Sequence, residues 1–331
     1  MEYSFEDVLT IRNGRNQKAV ENPNGKYPIY GSGGIMGYAD DFICSGDTVI
    51  IGRKGNINNP IYVSEPFWNV DTAFGLESKN DLLNPRYLFY FCKRFDFEKL
   101  NKTVTIPSLT KSDLLKIRLN VPELSIQEEI VSKLVKLEKI VQLRLNELQK
   151  LEELVKARFV ELFENDCQRM KLSDVCSIIT DGTHQPPKFV SDGIPFIFVA
   201  NIIDNKVTYD AEKFIDQSTY DELIKRTPIE IGDVLLSTVG SYGHPAVVKT
   251  DKKFLFQRHI AYLKPKKDII DSDYLHGAIL SPDVQRQIEE GVKGIAQKSL
   301  NLTEVKKMTI PVPDINKQKK FASFVAQIDK S

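Results

Sequence analysis

One pattern occurs twice in this chain, and it sets the architecture. Residues 108–122 read SLTKSDLLKIRLNVP and residues 299–313 read SLNLTEVKKMTIPVP. Ser108, Leu109, Lys116, Val121 and Pro122 recur as Ser299, Leu300, Lys307, Val312 and Pro313. Further pairs are conservative, among them Asp113 with Glu304 and Leu119 with Ile310, and the same offset carries Gln127 onto Gln318. A duplication of such long period implies two related domains, each followed by the same connector.

The repeat extends upstream. Phe5-Glu6-Asp7-Val8 matches Leu172-Ser173-Asp174-Val175, Tyr27-Pro28-Ile29-Tyr30 matches Ile194-Pro195-Phe196-Ile197, and Gly46-Asp47-Thr48-Val49 matches Gly232-Asp233-Val234-Leu235. Tyr87-Leu88 matches Tyr274-Leu275. The offset drifts, so the second copy carries insertions, the largest between Val199 and Gly232. Gly-Asp before β-branched residues predicts a turn entering a buried strand. Pro60–Val63 and Pro245–Val248 read as the next strand, and Tyr87–Phe95 and Tyr274–Leu280 as short helices. Thr110 and Asn301 are placed as helix caps, with a carboxylate three residues on. Short strands mixed with short helices, without a βαβ rhythm, predict an α+β fold for each copy.

A different object lies between the copies. Ser125 and Glu128 fit a capping box, and neither Gly nor Pro follows until past Phe163. Apolar residues recur at Leu134, Leu137, Val141, Leu145, Leu148, Leu151, Val155, Phe159 and Leu162. Their spacing alternates between three and four, the period of a coiled-coil seam. A helix of this length reaches roughly 55–60 Å. Burial of each Leu or Val is worth about 1.5–3 kcal/mol, so the stripe calls for a partner helix. A matching helix begins near Asn316 with Gln318, Phe321, Phe324, Val325 and Ile328, and is expected to be a truncated second connector.

Composition is that of an ordinary globular protein, with 45 basic and 45 acidic residues balancing to zero. Zero net charge does not advertise a nucleic-acid binder, although local clustering sets the field at a groove. No apolar run approaches the roughly 20 residues of a membrane span, and no signal peptide is read at the N-terminus. Cys44, Cys92, Cys167 and Cys176 form no CxxC pair and read as thiols of a reducing cytosol. The four histidines are scattered, which argues against a zinc site. Asn59-Pro60-Ile61-Tyr62 departs from the amino-methyltransferase pattern at Ile61, and Gly31-Ser32-Gly33-Gly34 lacks a dinucleotide-binding context, so both read as turns. No catalytic residues are assigned.

The polar loops beside the paired strands are more informative. Arg12, Arg15 and Lys18 open the first copy; Arg53, Lys54, Asn56 and Asn58 follow its Gly-Asp strand, and Asn69 lies in the next matched region. Thr183, His184, Gln185 and Lys188 open the second copy. Ser237, Thr238, Ser241, Tyr242 and His244 follow its strand, and Gln257, Arg258 and His259 complete the match. Arg and Lys suit guanine, Asn and Gln suit adenine, and Ser and Thr suit either. A shared framework with divergent polar loops fits two modules that read different targets.

The whole arrangement resembles the DNA-specificity subunit of type I restriction-modification systems: a Gly-Asp strand, a polar loop, a Tyr-Leu helix, Ser-Leu-x-x-Ser/Thr-Asp/Glu, Val-Pro, and a Gln opening a long helix, all twice. The resemblance spans essentially the full chain. It implies a first target-recognition domain over residues 1–124, a connector helix over 125–166, a second target-recognition domain over 167–314, and the start of a second connector over 315–331. It implies that each domain reads half of a bipartite site on double-stranded DNA. The connectors would set the spacing and dock two methyltransferase subunits. Those subunits, not this chain, would bind S-adenosylmethionine and methylate adenine, and a translocating nuclease subunit would join for restriction. The chain itself would be non-catalytic, cofactor-free and cytoplasmic in a prokaryote, with self-association through the connectors as a further expectation. A self-contained methyltransferase or nuclease, or a coiled-coil adaptor without a DNA role, is the alternative.

Overall fold

The structure is a computed structural model that describes residues 1–103, 105–164, 167–294 and 298–329. The chain divides into two compact units, Met1–Arg144 and Leu145–Ser331. The division falls inside one continuous helix, Leu124–Phe163, of 40 residues.

The first unit is built on a four-stranded antiparallel sheet, ordered Leu9–Asn13, Ala73–Ser78, Thr48–Gly52, Ile61–Val63. The strand after Gly46-Asp47 is buried along its whole length, as its run of Val and Ile requires. A smaller sheet orders Gly34–Ala39, Tyr27–Gly31 and Trp68–Asn69, the last two parallel. Glu2–Ser4 pairs with Arg118–Asn120 and ties the ends of the unit together. The core collects Phe5, Val49, Ile51, Leu76, Leu88, Phe97, Leu114 and Leu119.

The second unit repeats this plan. Its four strands run Cys176–Asp181, Ile260–Pro265, Val234–Ser237, Pro245–Val247. Its small sheet orders Phe214–Ile215, Ile194–Ile197 and Leu255–Phe256, again with one parallel pair. Arg169–Lys171 pairs with Thr309–Pro311. The insertion expected between Val199 and Gly232 holds a short turn of helix, a hairpin over Ile202–Val207 and a helix over Gln217–Leu223.

Both copies close with the same polar lock. Gln127 is fully buried; its amide donates to the carbonyls of Leu82 and Pro122 and accepts from the Asn84 N–H. Gln318 is buried too, donating to Ile269 and Pro313 and accepting from Asp271. Asn84 and Asp271 in turn cap the helices Pro85–Arg94 and Ser272–Ile279. The Tyr87 hydroxyl donates to the Asn120 carbonyl, and that of Tyr274 to the Pro311 carbonyl. The repeated glutamine is therefore the bolt between each domain and the helix that leaves it.

Some local expectations change. Thr110 caps its helix as expected, with its hydroxyl accepting from the Asp113 N–H, but Asn301 precedes its helix without a side-chain cap. The long helix starts at Leu124, with the Glu123 carbonyl as first acceptor, so Ser125 lies inside the first turn and is not the cap. Positions 165–166 and 330–331, where the connectors were expected to run on, lie outside the described residues. The seam also slips at its end: Phe163 is buried with Phe159, whereas Leu162 faces solvent. Four residues bring a helical side chain back to nearly the same face, and the aromatic is the better fit for this core.

Candidate nucleic-acid interface

In each unit one end of the main sheet gathers the loops that carry the candidate residues. The framework beneath them is the same in both. In the first unit the Arg53 N–H donates to the Thr72 carbonyl, and the Arg53 carbonyl accepts from Leu109. Gly55 donates to Pro107, and Arg15 to Asn69. In the second unit Thr238 donates to His259 and accepts from Leu300, Gly240 donates to Lys298, and Thr183 donates to Phe256. Gly55 and Gly240 both sit at left-handed φ, 80° and 74°, where a side chain would be strained. The Ser-Leu pair that opens the long repeat is thereby explained. Its buried leucine anchors a segment whose backbone staples the loop after the central strand.

On this common scaffold the side chains differ. Arg15, Lys18, Arg53, Lys54 and Asn56 are exposed in the first unit. The Arg53 guanidinium lies 5.8 Å from the Phe74 ring centroid and 3.5 Å from the Asp71 carbonyl, which holds it at the loop base. Arg12 is engaged with Glu77 at 2.7 Å and remains half exposed. Two expected readers use their amides within the fold. Asn69 is fully buried, its amide donating to the Ala73 carbonyl. Asn58 donates to Asp96 and accepts from the Phe97 N–H, so it fixes the turn Phe97–Leu100.

In the second unit Gln185, Lys188, Ser241, His244 and Arg258 are exposed. His244 faces Asn205 of the inserted hairpin at 3.0 Å. Gln257 contacts His259 at 3.1 Å, and burial together with the neighbouring Arg258 lowers the His259 pKa. A neutral His259 keeps both a donor and an acceptor, the form that suits a base edge. Ser237 and Thr238 are buried: Ser237 Oγ accepts from the His244 N–H, and Thr238 Oγ1 donates to the His259 carbonyl. They shape the loop and do not offer themselves to a ligand. Tyr242 is half-buried and its hydroxyl donates to Glu289 at 3.0 Å. Thr183 is half-buried, and His184 approaches Asp181 at 2.8 Å.

Sequence reasoning overlooked three elements of this surface. Pro107 and Leu109 bond to the backbone of Gly55 and Arg53, and the chain just before them adds Lys102, Thr103 and the 60% exposed Ile106. Lys298 lies beside Tyr242, 5.9 Å from its ring centroid. Both precede the repeated Ser-Leu, and that position was the available signal. Arg226, from the insertion, joins Asp181 and His184.

Tyr62 of the Asn59–Tyr62 segment is committed to Asp47, and Gly31–Gly34 closes a hairpin. Among the described residues no group of three or more His, Cys, Asp or Glu side chains could hold a metal, and no helix is long and apolar enough to cross a membrane.

The family model described as "Type I restriction modification DNA specificity domain" matches this chain over residues 1–154 and 164–331. The chain belongs to the type I DNA-specificity family. Both halves match, in keeping with the duplicated framework. The EcoBI specificity subunit of Escherichia coli is 25% identical over 321 residues, covering 85% of this chain and 66% of its own length. The MjaVIII specificity subunit of Methanocaldococcus jannaschii is 19% identical over 309 residues, covering 85% of this chain and 69% of its own length. This member of the family thus spans about two thirds of the length of those relatives. Among solved structures, the S subunit of a type I restriction-modification system from M. genitalium matches with a TM-score of 0.60 at 16% identity, over 100% of this chain and 89% of that one. A second, from work on complex assembly and conformational transition of the type I system, gives 0.57 at 17% identity. At these identities the likeness is one of fold.

Proposed function

We propose that this chain is the sequence-reading, non-catalytic subunit of a type I restriction-modification complex, with each unit recognising half of a bipartite DNA site. The observation that carries this reading is the loop cluster built twice on the same backbone bonds with different exposed side chains. Arg15, Lys18, Arg53, Lys54 and Asn56 would read or clamp DNA in the first unit, and Gln185, Lys188, Ser241, His244, Gln257, Arg258 and His259 in the second. Exposed cations give phosphate contacts that set register and make binding salt-dependent, whereas the amides and the arginine forks discriminate bases.

The long helix supplies the assembly surface. Leu137, Val141, Leu145 and Leu148 are 55–59% exposed, although apolar and in heptad register. Near its start an open groove of about 760 Å³ is lined by Tyr90, Leu134, Leu137 and Val141. An exposed apolar stripe of this kind marks an interaction site. We assign it to helices of two methyltransferase subunits or of another connector, with S-adenosylmethionine bound on the methyltransferases. A nuclease subunit would complete the restriction complex.

The test is to co-express this chain with its methyltransferase subunit and map methylated adenines. A two-part motif is expected. Arg53→Ala should change one half of it and Arg258→Ala the other, by about 1–3 kcal/mol of discrimination each. An identical motif in both variants would sink the loop assignment, and tight binding of S-adenosylmethionine to the isolated chain would sink the non-catalytic role.

A further inference from the structure

The second unit contains an arginine that the repeat does not predict, its guanidinium held along one edge by Asp181. Arg226 follows the helix Gln217–Leu223, inside the insertion that the first copy lacks. Its side chain is 53% exposed, yet its position is pinned on one edge. Nε donates to the Asp181 carbonyl at 3.3 Å, and Nη2 donates to the Asp181 carboxylate and lies 3.5 Å from Thr180 Oγ1. His184 completes the ring, with Nε2 at 2.8 Å from the other Asp181 oxygen and 3.4 Å from Arg226 Nη2. Among the described residues Nη1 makes no hydrogen bond.

Asp181 ends the strand Cys176–Asp181, and the chain passes directly into Gly182–His184. That loop is fastened to the other readers: the Arg258 N–H donates to the Thr183 carbonyl at 3.1 Å, and Gly182 donates to Ile260. Arg226 therefore sits on the same loop cluster as Arg258 and His259. A guanidinium buttressed along one edge keeps its planar fork fixed, so less rotamer freedom is lost when the outer edge pairs. The ligand that matches two parallel N–H donors on a DNA base is guanine, through O6 and N7.

We propose that Arg226 is a specificity-determining residue that reads a guanine in the half-site of the second unit, and that Asp181 is its positioning residue. This rests on the DNA-reading function proposed above and deepens it. The insertion thereby has a purpose: it brings to the second unit a reader that the shared framework does not supply.

The experiment is selection of bound duplexes from a randomised pool by the complex with its methyltransferase subunits, at fixed salt, for wild type, Arg226→Ala, Arg226→Lys and Asp181→Asn. The half-site of the second unit is the one altered by Arg258→Ala. Arg226→Ala should abolish the preference for guanine at one position of that half-site, roughly a tenfold to hundredfold loss, and leave the others intact. Arg226→Lys, which keeps the charge but not the fork, should lose the same preference. Asp181→Asn should weaken it partially at the same position. Uniform weakening across all sequences would make Arg226 a phosphate clamp and overturn the proposal, as would an unchanged motif. If wild type itself selected no sequence, the functional reading would fail and take this inference with it. A wild-type motif untouched by Arg226→Lys and Arg226→Ala would remove this inference alone.

Discussion

Tyr87 and Tyr274 occupy the same place in the two units and live in different surroundings. Each opens a capped helix, and each donates its hydroxyl to the strand that closes its domain, at 3.0 and 2.9 Å. Tyr274 is fully buried, because Phe159 and Phe163 from the end of the long helix pack on it with ring centroids at 5.6 and 5.2 Å, and Phe321 joins them. Tyr87 is half-buried, and the groove near it is open. The hydrogen-bonded frame is thus a property of each repeat taken alone. Burial depends on which helix end happens to reach the repeat. The second unit is finished by the end of the long helix, while in the first the groove lined by Tyr90, Leu134, Leu137 and Val141 stays open.

This contrast can be broken experimentally. Phe163→Ala should destabilise the second unit by about 3–5 kcal/mol, since a large aromatic leaves a cavity in a closed core. Hydrogen exchange of Val234–Ser237 would report the loss, and equal loss of protection in Thr48–Gly52 would refute separate cores. Gln318→Ala and Gln127→Ala should each cost about 2–4 kcal/mol by stranding a buried N–H and two carbonyls. Denaturant unfolding should rank the two alike; a neutral Gln127→Ala would show that the lock matters in one copy only. Tyr274→Phe should cost about 1–3 kcal/mol, against at most about 1 kcal/mol for Tyr87→Phe, because water replaces the lost partner only at the half-buried site. Equal costs would mean that burial does not distinguish them.

The smallest effect concerns pH. His276 is half-buried, and its desolvation lowers its pKa below the ordinary 6.5 despite its contact with the Asn205 carbonyl. The unfolded chain then binds the proton more readily than the folded one. The contribution is fully favourable above pH 6.5 and is lost as pH falls through the lowered value. The second unit should therefore melt progressively earlier below pH 6.5, and His276→Gln should flatten that slope in a thermal scan. An unchanged slope would move the effect to other groups.

Much of the framework was readable from the order of residues. The duplicated Ser-Leu, Val-Pro and Gln positions predicted two α+β copies and the helix between them, because repeated hydrogen-bonding residues at a fixed offset must serve repeated backbones. The central strands followed from β-branched runs after Gly-Asp. The candidate interface was legible at the level of loops and less so at that of side chains. Asn58, Asn69, Ser237 and Thr238 have the composition of base readers, yet their polar atoms are used within the fold. Residue type does not tell whether a loop side chain turns to solvent or satisfies a nearby backbone group. Lys102, Ile106, Lys298 and Arg226 were missed for the complementary reason: they reach the surface from segments distant along the chain.

The sequence by itself determined the number of copies, their fold class, the connector helix and the family to which the chain belongs, since periodicity and recurring positions are one-dimensional facts. Only the tertiary structure decided that Phe163 rather than Leu162 is buried, and that Leu109 and Leu300 anchor the staples of the loops after the Gly-Asp strands. It also showed Arg226 standing beside Asp181. Those outcomes depend on which surfaces meet after the chain has folded, and contacts between residues far apart in sequence leave no periodic trace within it.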